Sequence, residues 1–338
     1  MSTTRLAAPR TTSPTRHRVG TPIWLPGEGT ATEAVARADL DRVEADADST
    51  HLSLAVAVLD TALRAITATL SADVARQRLL AAQALANDLV RGVHAGESTQ
   101  SDLQAARVDA EAAQASLADA EAQRLRVRIA LSVLTGLEDI PQITGRDIVG
   151  ASASPAVPGH LADSHPRVVG ARRAVEAGLA AWRLTHISDR DSPEVAVIGI
   201  HEKQGFSTPY NTRFGLELRI PFATEARNTP SLAAARSTLM AAEANLMQAR
   251  RQTEIEVGEA EINFAAMRTS AAASARAESQ LRKRRIQIER AWHVGEMPLI
   301  EVVRAWAADF DAELVRDRSR ASFGAAAMRL SLAEGRLP

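Results

Sequence analysis

The most constraining feature of this chain is a run of 62 residues, from Thr30 to Arg91, that contains neither glycine nor proline. Further runs cover residues 97–135, residues 231–294 with Gly258 as an interruption, and residues 299–323. At about 1.5 Å per residue, a helix as long as the first run would extend roughly 93 Å. That length exceeds the diameter of most single domains, so the sequence predicts very long helices.

Composition agrees with long helices and excludes several classes of function. Alanine makes up roughly a fifth of the chain, and only 11 of 338 residues are aromatic, which argues against a compact mixed core. The 40 basic and 41 acidic residues balance, so charge gives no indication of a nucleic-acid partner. Cysteine is absent, which excludes disulfides, thiolate metal sites and thiol nucleophiles.

Apolar residues in the first run recur three and four positions apart, which is the spacing of a coiled-coil seam. They include Leu59, Leu63, Ile66, Leu70 and Val74. No stretch of about 18 consecutive apolar residues occurs, so we expect no membrane-spanning helix, whereas the strands of a barrel remain compatible with the sequence.

The middle of the chain differs from the rest, because eight of the 14 prolines lie between Pro141 and Pro230. Within it, residues 194–200 and 213–220 alternate apolar and polar side chains and are predicted to be strands.

The chain is also internally repeated. An offset of 199 places residues 95–97 on residues 294–296 and carries residues 134–136 onto residues 333–335 without a gap. Each repeat is read as a strand end, a very long helix, a tight glycine turn and a shorter helix, which together form an antiparallel helical hairpin.

Single residues give little indication of catalysis or metal binding. The eight histidines never lie three or four residues apart, which favours scattered surface positions over a metal site. His94 and His293 both lie two residues before a glycine, so a symmetric histidine ring in an oligomer is an alternative. Acidic pairs such as Glu254 with Glu256 are predicted to be solvated helix faces. Without a nucleophile elbow or a phosphate-binding loop, no enzyme, cofactor or metal is expected.

Taken together, these features resemble the TolC-type outer-membrane efflux channel family. Its signature is an arginine, a glycine five residues later, an acid six residues after the glycine, and then apolar residues and alanine. The signature occurs twice, as Arg91, Gly96, Asp102, Leu103, Ala106 and as Arg290, Gly295, Glu301, Val302, Ala305. The pairs His165-Pro166 and Ile220-Pro221 add to a resemblance that covers residues 21–337.

The resemblance implies a mainly α fold with a small β part. Very long antiparallel helical hairpins in two repeats would build a tunnel across the periplasm, and a few strands would build part of a transmembrane β-barrel in the outer membrane of a homotrimer. The implied function is the outer-membrane channel of a tripartite efflux system. Its partners would be a periplasmic adaptor (a membrane fusion protein) and an inner-membrane RND-type pump, with no nucleic acid, cofactor or catalytic residue.

The resemblance also assigns site residues. The adaptor-docking tip turns would be His94, Ala95, Gly96, Glu97, His293, Val294, Gly295 and Glu296. The tunnel entrance would include Asp102, Trp292, Glu301 and Arg304. A ring of Glu301 carboxylates would favour cations. Arg304 stands where well-known members have another acid, so the network of the gate is altered. Trp292 and Trp306 are expected to pack against the neighbouring helix.

The segment from Trp24 to Gly27 resembles the branch linked to heavy-metal resistance pumps of the cobalt-zinc-cadmium type. Heavy-metal cations are therefore the expected cargo, with hydrophobic drugs and type I secreted proteins as alternatives. Trp24 itself is read as a packing aromatic at a strand end, or alternatively as part of a membrane-interface belt.

The predicted domains are a disordered N-terminus outside the family pattern (1–20), a first repeat (21–137), a linker or equatorial segment (138–164) and a second repeat (165–338). The first repeat is expected to lack the leading helix and strand of the second, and residues 1–20 contain no secretory signal. A misplaced start codon or a truncated gene copy is the hypothesis for this difference. The rival prediction is a soluble structural coiled-coil protein or a non-functional truncated paralogue, which explains the helices but not the strands or the offset.

Overall fold

A computed structural model describes residues 15–24, 26–137, 161–188, 192–202, 211–222 and 225–336. The strands are β1 (Thr15–Pro22), β2 (Glu194–Glu202) and β3 (Asn211–Arg219). The helices are α1 (Glu28–Ala95), α2 (Gln100–Thr135), α3 (Leu161–Ser164), α4 (Pro166–Ile187), α5 (Glu225–His293) and α6 (Leu299–Ala333). The prediction of a mainly α fold with a small β part is confirmed. The predicted linker at 138–160 lies outside the described residues.

The helices are longer than the runs free of glycine and proline. Helix α1 includes Gly29 and Gly92, α5 includes Pro230 and Gly258, and α6 includes Gly324. A glycine in a helix interior costs only about 1 kcal/mol relative to alanine, so packing of the remaining residues readily maintains the helix. Pro230 lies in the second turn of α5, close to the end where helical amides lack partners anyway.

The described chain divides into two compact units, whose boundaries fall inside α1, α4 and α5. The first unit comprises residues up to 46 and residues 169–248, and the second comprises residues 47–168 and 249 onward.

The first unit contains an antiparallel sheet in the order β1-β2-β3. Strand β1 begins at Thr15, so the prediction of disorder up to residue 20 is wrong for the last six of those residues. Strand β1 has little apolar alternation of its own. It is stabilised by its ladder to β2, which extends from Thr15 opposite His201 to Pro22 opposite Glu194.

The two faces of this sheet differ in chemistry. On one face Val19, Val197 and Leu216 lie side by side in register and are exposed, with Leu216 82% accessible. On the other face Arg18 forms ion pairs with Glu194 (2.8 Å) and Glu217 (3.7 Å) across the strands. One face is therefore apolar and uncovered, whereas the opposite face carries ion-paired side chains from all three strands beside Ala196, Ile198 and Ile200 of β2.

Elsewhere in the first unit, polar contacts join the start of α1 to the end of α4. The Glu28 carboxylate accepts hydrogen bonds from Ser188 (3.2 Å) and Ser192 (2.9 Å). Trp24 lies against Gly29, where a Cβ atom would come within 2.4 Å of its ring, yet 62% of Trp24 is exposed.

The second unit is held by apolar contacts between long helices. Leu52, Leu59 and Ile66 of α1 pack on residues of α6, and Leu79 and Ala82 of α1 pack on α2. Both sets lie at the coiled-coil spacing that the sequence predicts.

Helix α1 also contains an 18-residue window with a mean hydropathy of 1.5, which is apolar enough to cross a membrane by length and composition. The sequence expectation of no such helix therefore needs correction. A third of the window is buried in the structure. Packing of Leu59 and Ile66 against Ala321 and Ala325 of α6 explains this apolar stretch as a core-forming helix surface.

Candidate functional site: the two helix tips

The first tip is the turn that joins α1 to α2. Gly96 adopts φ +76°, its amide donates to the carbonyl of Val93, and the amide of Glu97 donates to the carbonyl of Gly92 (2.8 Å). This pair of bonds is the Schellman arrangement, which ends a helix with a residue in the left-handed region. Glycine is favoured there because it has no Cβ atom to clash.

The second tip, which joins α5 to α6, repeats that geometry. Gly295 adopts φ +79°, its amide donates to the carbonyl of Trp292, and the amide of Glu296 donates to the carbonyl of Ala291 (2.9 Å). Each bond corresponds to one in the first tip at the offset of 199 residues. The two predicted turns are therefore alike in backbone as well as in sequence.

The two tips lie in the same unit and share one apolar cluster. Leu85 and Leu89 of α1, Leu103 of α2 and Leu299 of α6 are buried together, with Trp292 of α5 packed against them. Because all four helices contribute to this cluster, it fixes both turns at one end of the unit.

All eight predicted docking residues are exposed. The tips differ in their surroundings, since Val294, Met297 and Ile300 beside the second turn are 70%, 37% and 51% accessible. The corresponding residues of the first tip are Ala95, Ser98 and Ser101. The second tip thus exposes an apolar patch that the first lacks. Aligning the two repeats position by position would have revealed this difference from the sequence.

The predicted entrance acids lie in the first turns of α2 and α6, where carboxylates favour the positive end of the helix dipole. Asp102 accepts a hydrogen bond from the Thr99 hydroxyl (2.7 Å), and its amide donates back to Thr99 (3.1 Å). Glu301 accepts one from Arg304 (2.7 Å). Each acid is therefore partnered within its own tip.

Trp292 and Trp306 are half-buried between α5 and α6, where they pack around Ile288 and Val302. Sequence reasoning missed the polar contacts beneath them. The indole of Trp306 donates to Glu289, which also accepts from Arg285 (2.6 Å), and Arg285 reaches Asp309 of α6 (2.7 Å). Burial alone would lower the pKa of Arg285, but the hydrogen bonds from its guanidinium to Glu289 and Asp309 raise it overall.

A second polar site lies in a cavity of about 560 Å³ in the same unit. His165 is 2% exposed, so the prediction of scattered surface histidines is wrong for this one, although the other described histidines are exposed. Glu256 is half-buried and accepts two 2.7 Å hydrogen bonds from Arg167, so it is not the solvated acid that the sequence predicts. Burial raises the pKa of Glu256, but the hydrogen bonds from Arg167 and Gln252 outweigh it and bring the pKa below its usual value.

In the part of the chain that the structure describes, no group of three or more histidine or acidic residues is arranged to hold a metal ion.

Comparison with known proteins agrees with the fold described above. Residues 18–137 match the family model described as outer membrane efflux protein. The sequence matches no curated protein.

Several solved structures share the fold. A CusC structure has a TM-score of 0.74 at 16% identity, with 96% of this chain and 84% of that chain covered. The CmeC outer-membrane channel of Campylobacter jejuni has a TM-score of 0.74 at 14% identity, with 94% and 70% covered. The open state of the MtrE outer-membrane channel of Neisseria gonorrhoeae has a TM-score of 0.73 at 16% identity, with 96% and 80% covered.

The chain therefore has the fold of these outer-membrane channels, and over residues 18–137 its sequence matches the outer membrane efflux protein family.

Proposed function

We propose that the protein is the outer-membrane channel of a tripartite efflux system. It acts as a homotrimer that conducts substrates delivered by an inner-membrane RND-type pump through a periplasmic adaptor. The observation that carries this proposal is the combination of the channel fold with a sheet that leaves one apolar face uncovered, with Val19, Phe214 and Leu216 at least 77% accessible. Strands in a transmembrane barrel need such an outward apolar face, because it meets lipid.

The tips support the adaptor as partner. Both turns expose their predicted docking residues, and the helix before each turn ends with the same pair of backbone hydrogen bonds. The second tip adds the exposed apolar patch of Val294, Met297 and Ile300, which is the kind of surface that a partner protein covers.

The rival interpretation, a soluble structural coiled coil, does not account for the sheet. Phe214 and Leu216 are at least 80% accessible on β3, and a soluble protein would expose them to water without benefit.

For cargo, we propose heavy-metal cations, with selectivity set by the pump. The segment from Trp24 to Gly27 supports this class. The ion pair between Glu301 and Arg304 reduces the free negative charge at the entrance, so attraction of cations there contributes little.

Fractionation of cells that express the native gene tests the proposal. We expect the protein in the outer-membrane fraction as a trimer, and deletion of the gene should increase sensitivity to zinc, cobalt or cadmium. Recovery only as a soluble monomer or dimer would contradict the proposal. Unchanged sensitivity to all three metals, together with membrane recovery, would overturn only the cargo.

An exchange between the tips tests the docking surface. Val294→Ala, Met297→Ser and Ile300→Ser give the second tip the residues of the first. We expect weaker co-purification with the adaptor encoded beside the gene, and lower metal tolerance. The control places Val, Met and Ile at Ala95, Ser98 and Ser101 in the first tip, which adds apolar surface and should not weaken binding.

A further inference from the structure

Within the second unit the four long helices lie in a row. Helix α2 packs on α1 beside Leu79, α1 packs on α6 beside Leu59, and α6 packs on α5 beside Ile288. The order is therefore α2-α1-α6-α5. The contact between α1 and α6 lies in the middle of this row, and we call it the central contact.

The offset of 199 relates the central contact to the two ends of the row. Along α6 it maps the residues that pack on α1 to one face of α2, which we call the α2 edge: Ala321, Ala325, Met328 and Leu332 correspond to Ala122, Arg126, Ile129 and Val133. Along α1 it maps the residues that pack on α6 to one face of α5, which we call the α5 edge: Val56, Leu59, Leu63 and Ile66 correspond to Ile255, Gly258, Ile262 and Ala265. Each edge is thus the counterpart of one side of the central contact.

Both edges expose apolar side chains. Ile129 and Val133 on the α2 edge and Ile255 and Ile262 on the α5 edge are between 54% and 81% accessible. Their counterparts in the central contact belong to one buried cluster or pack against it. The chain therefore has both halves of a second helix contact, but at opposite ends of the row, so a second copy of the chain is needed to bring them together. A contact between unlike surfaces of identical copies can close into a ring.

The two edges carry opposite charges where the central contact has an ion pair. There Asp60 of α1 lies 2.6 Å from Arg329 of α6. The offset maps Asp60 to Glu259, which borders the α5 edge, and Arg126 lies one turn along α2 from the position that corresponds to Arg329. Both side chains are exposed, and Arg126 donates to Gln123 of its own helix (3.1 Å). An antiparallel contact between the edges would therefore bring Arg126 and Glu259 within reach of an ion pair.

The contact between the edges is less apolar than the central contact. Smaller or charged residues replace three apolar ones, with Gly258 for Leu59, Ala265 for Ile66 and Arg126 for Ala325. Less apolar surface is then removed from water, so the hydrophobic contribution is smaller. An ion pair at the border of the contact supplies a further contribution, which salt screens.

We propose that the α2 edge of one copy docks antiparallel on the α5 edge of the next copy, with Arg126 of one copy paired to Glu259 of the next. This contact presupposes the homotrimer proposed above and is the place where its copies meet. Because it is less apolar than the central contact within each chain, it is also the place where the ring separates, and added salt weakens it.

Cross-linking between engineered cysteines tests which faces meet, since the chain has no cysteine of its own. The test pair is Ile129→Cys with Ile255→Cys, at opposite ends of the row. The calibration pair is Val56→Cys with Met328→Cys, the corresponding positions of the central contact. The control pair is Ala122→Cys with Ile255→Cys, which is one heptad, about 10.5 Å, out of register.

Membranes from cells that express each variant are treated with a short thiol-reactive cross-linker, and the products are separated by denaturing electrophoresis. We expect covalent dimers and trimers from the test pair, cross-linked monomer from the calibration pair, and little or no covalent oligomer from the control. If native electrophoresis shows trimers but the test pair gives no covalent oligomer, the proposal is overturned while the homotrimer stands. Monomers alone would contradict both. Covalent dimers from Ile129→Cys by itself would show that like edges meet, which also overturns the proposal.

Charge exchange tests the ion pair between copies. Arg126→Glu and Glu259→Arg each place like charges at the contact and should raise the dissociation constant between copies about two- to fivefold, whereas the double variant should recover the parent value. Asp60→Arg with Arg329→Asp is the matched control, because it changes only the central contact and should leave that constant unchanged. Dilution of the purified protein in detergent, followed by native electrophoresis, measures dissociation, and added salt should increase it in the parent. No recovery in the double variant, or a parent trimer insensitive to salt, would overturn the proposal.

Discussion

At the scale of single residues, His165 has the contacts of a helix cap. It precedes Pro166 at the start of α4, and its Nδ1 accepts a hydrogen bond from the amide of Arg167 (3.2 Å). Proline in the first helical position and an acceptor before it are the usual features of a helix start. Burial lowers the pKa of His165, and the charge of Arg167 lowers it further, while Glu256 opposes both.

We predict that His165→Ala lowers the free energy of unfolding by about 1 kcal/mol, because the Arg167 amide loses its acceptor. His165→Asn keeps an acceptor and should recover most of the loss. Urea unfolding of the three proteins measures this. Equal stability of the Ala and Asn variants would contradict the capping role.

The same residue predicts a pH dependence with a defined sign. Because the folded pKa lies below the ordinary value of 6.5, the unfolded chain binds a proton more readily than the folded one. The contribution of His165 is therefore complete above about pH 6.5 and is lost as pH falls through the folded pKa. We expect the stability of the parent relative to His165→Asn to fall as the pH is lowered from about 8 to about 5. A constant difference would contradict it.

Arg304 carries a second prediction at this scale. Its Nη1 lies 2.7 Å from Glu301, and it is much the more exposed of the two side chains. In Arg304→Ala the Glu301 charge is no longer compensated, so channels in lipid bilayers should become more cation-selective. Stability should change little, since an exposed ion pair is worth about 0–1 kcal/mol. The control is the double variant with Glu301→Gln, in which selectivity should return to the parent value.

At the scale of elements, the long helices and their ends follow from local rules, whereas one strand does not. Helix ends at Gly96 and Gly295 lie where the sequence predicts turns. The apolar–polar alternation that is typical of strands does not predict β1. Arg16 and Arg18 alternate with His17 and Val19, so neither face is clearly apolar. Its partner β2, more than 170 residues away along the chain, supplies the ladder.

The tip glycines give a prediction about elements. Gly295→Ala forces a Cβ atom into the left-handed region and should cost about 1–2 kcal/mol. Gly258→Ala is the matched control, because Gly258 lies inside α5 with open space around it. That change should stabilise the protein by about 0.5–1 kcal/mol. Thermal unfolding measures both, and the same sign for the two changes would contradict the assignment.

At the scale of the whole molecule, the uncovered apolar face of the sheet is the feature that distinguishes a membrane protein from a soluble one. Leu216 lies on the exposed apolar face beside Val197, and Gly215 lies on the opposite face beside Ile198. Both positions accept a larger side chain without contact, since a Cβ atom at Gly215 meets nothing within 4 Å and Leu216 is 82% accessible.

If the apolar face meets lipid, Leu216→Arg should cost about 2–4 kcal/mol of membrane stability, and Gly215→Arg should cost far less. The measurement is the yield of heat-resistant trimer in the outer-membrane fraction. Equal yields for the two variants would show that the apolar face is not buried in the membrane.

The sequence by itself determined the long helices, the repeat and the two tip turns, because each depends on local properties: the absence of helix breakers, side-chain periodicity and the freedom of glycine to adopt positive φ. The tertiary structure alone decided the role of β1, the burial of His165, the pairing of Glu256 with Arg167, 89 residues away, and the charged contact surface between α5 and α6. These features depend on which distant residues meet, and burial changes the energetic cost of a charge more than any local preference does.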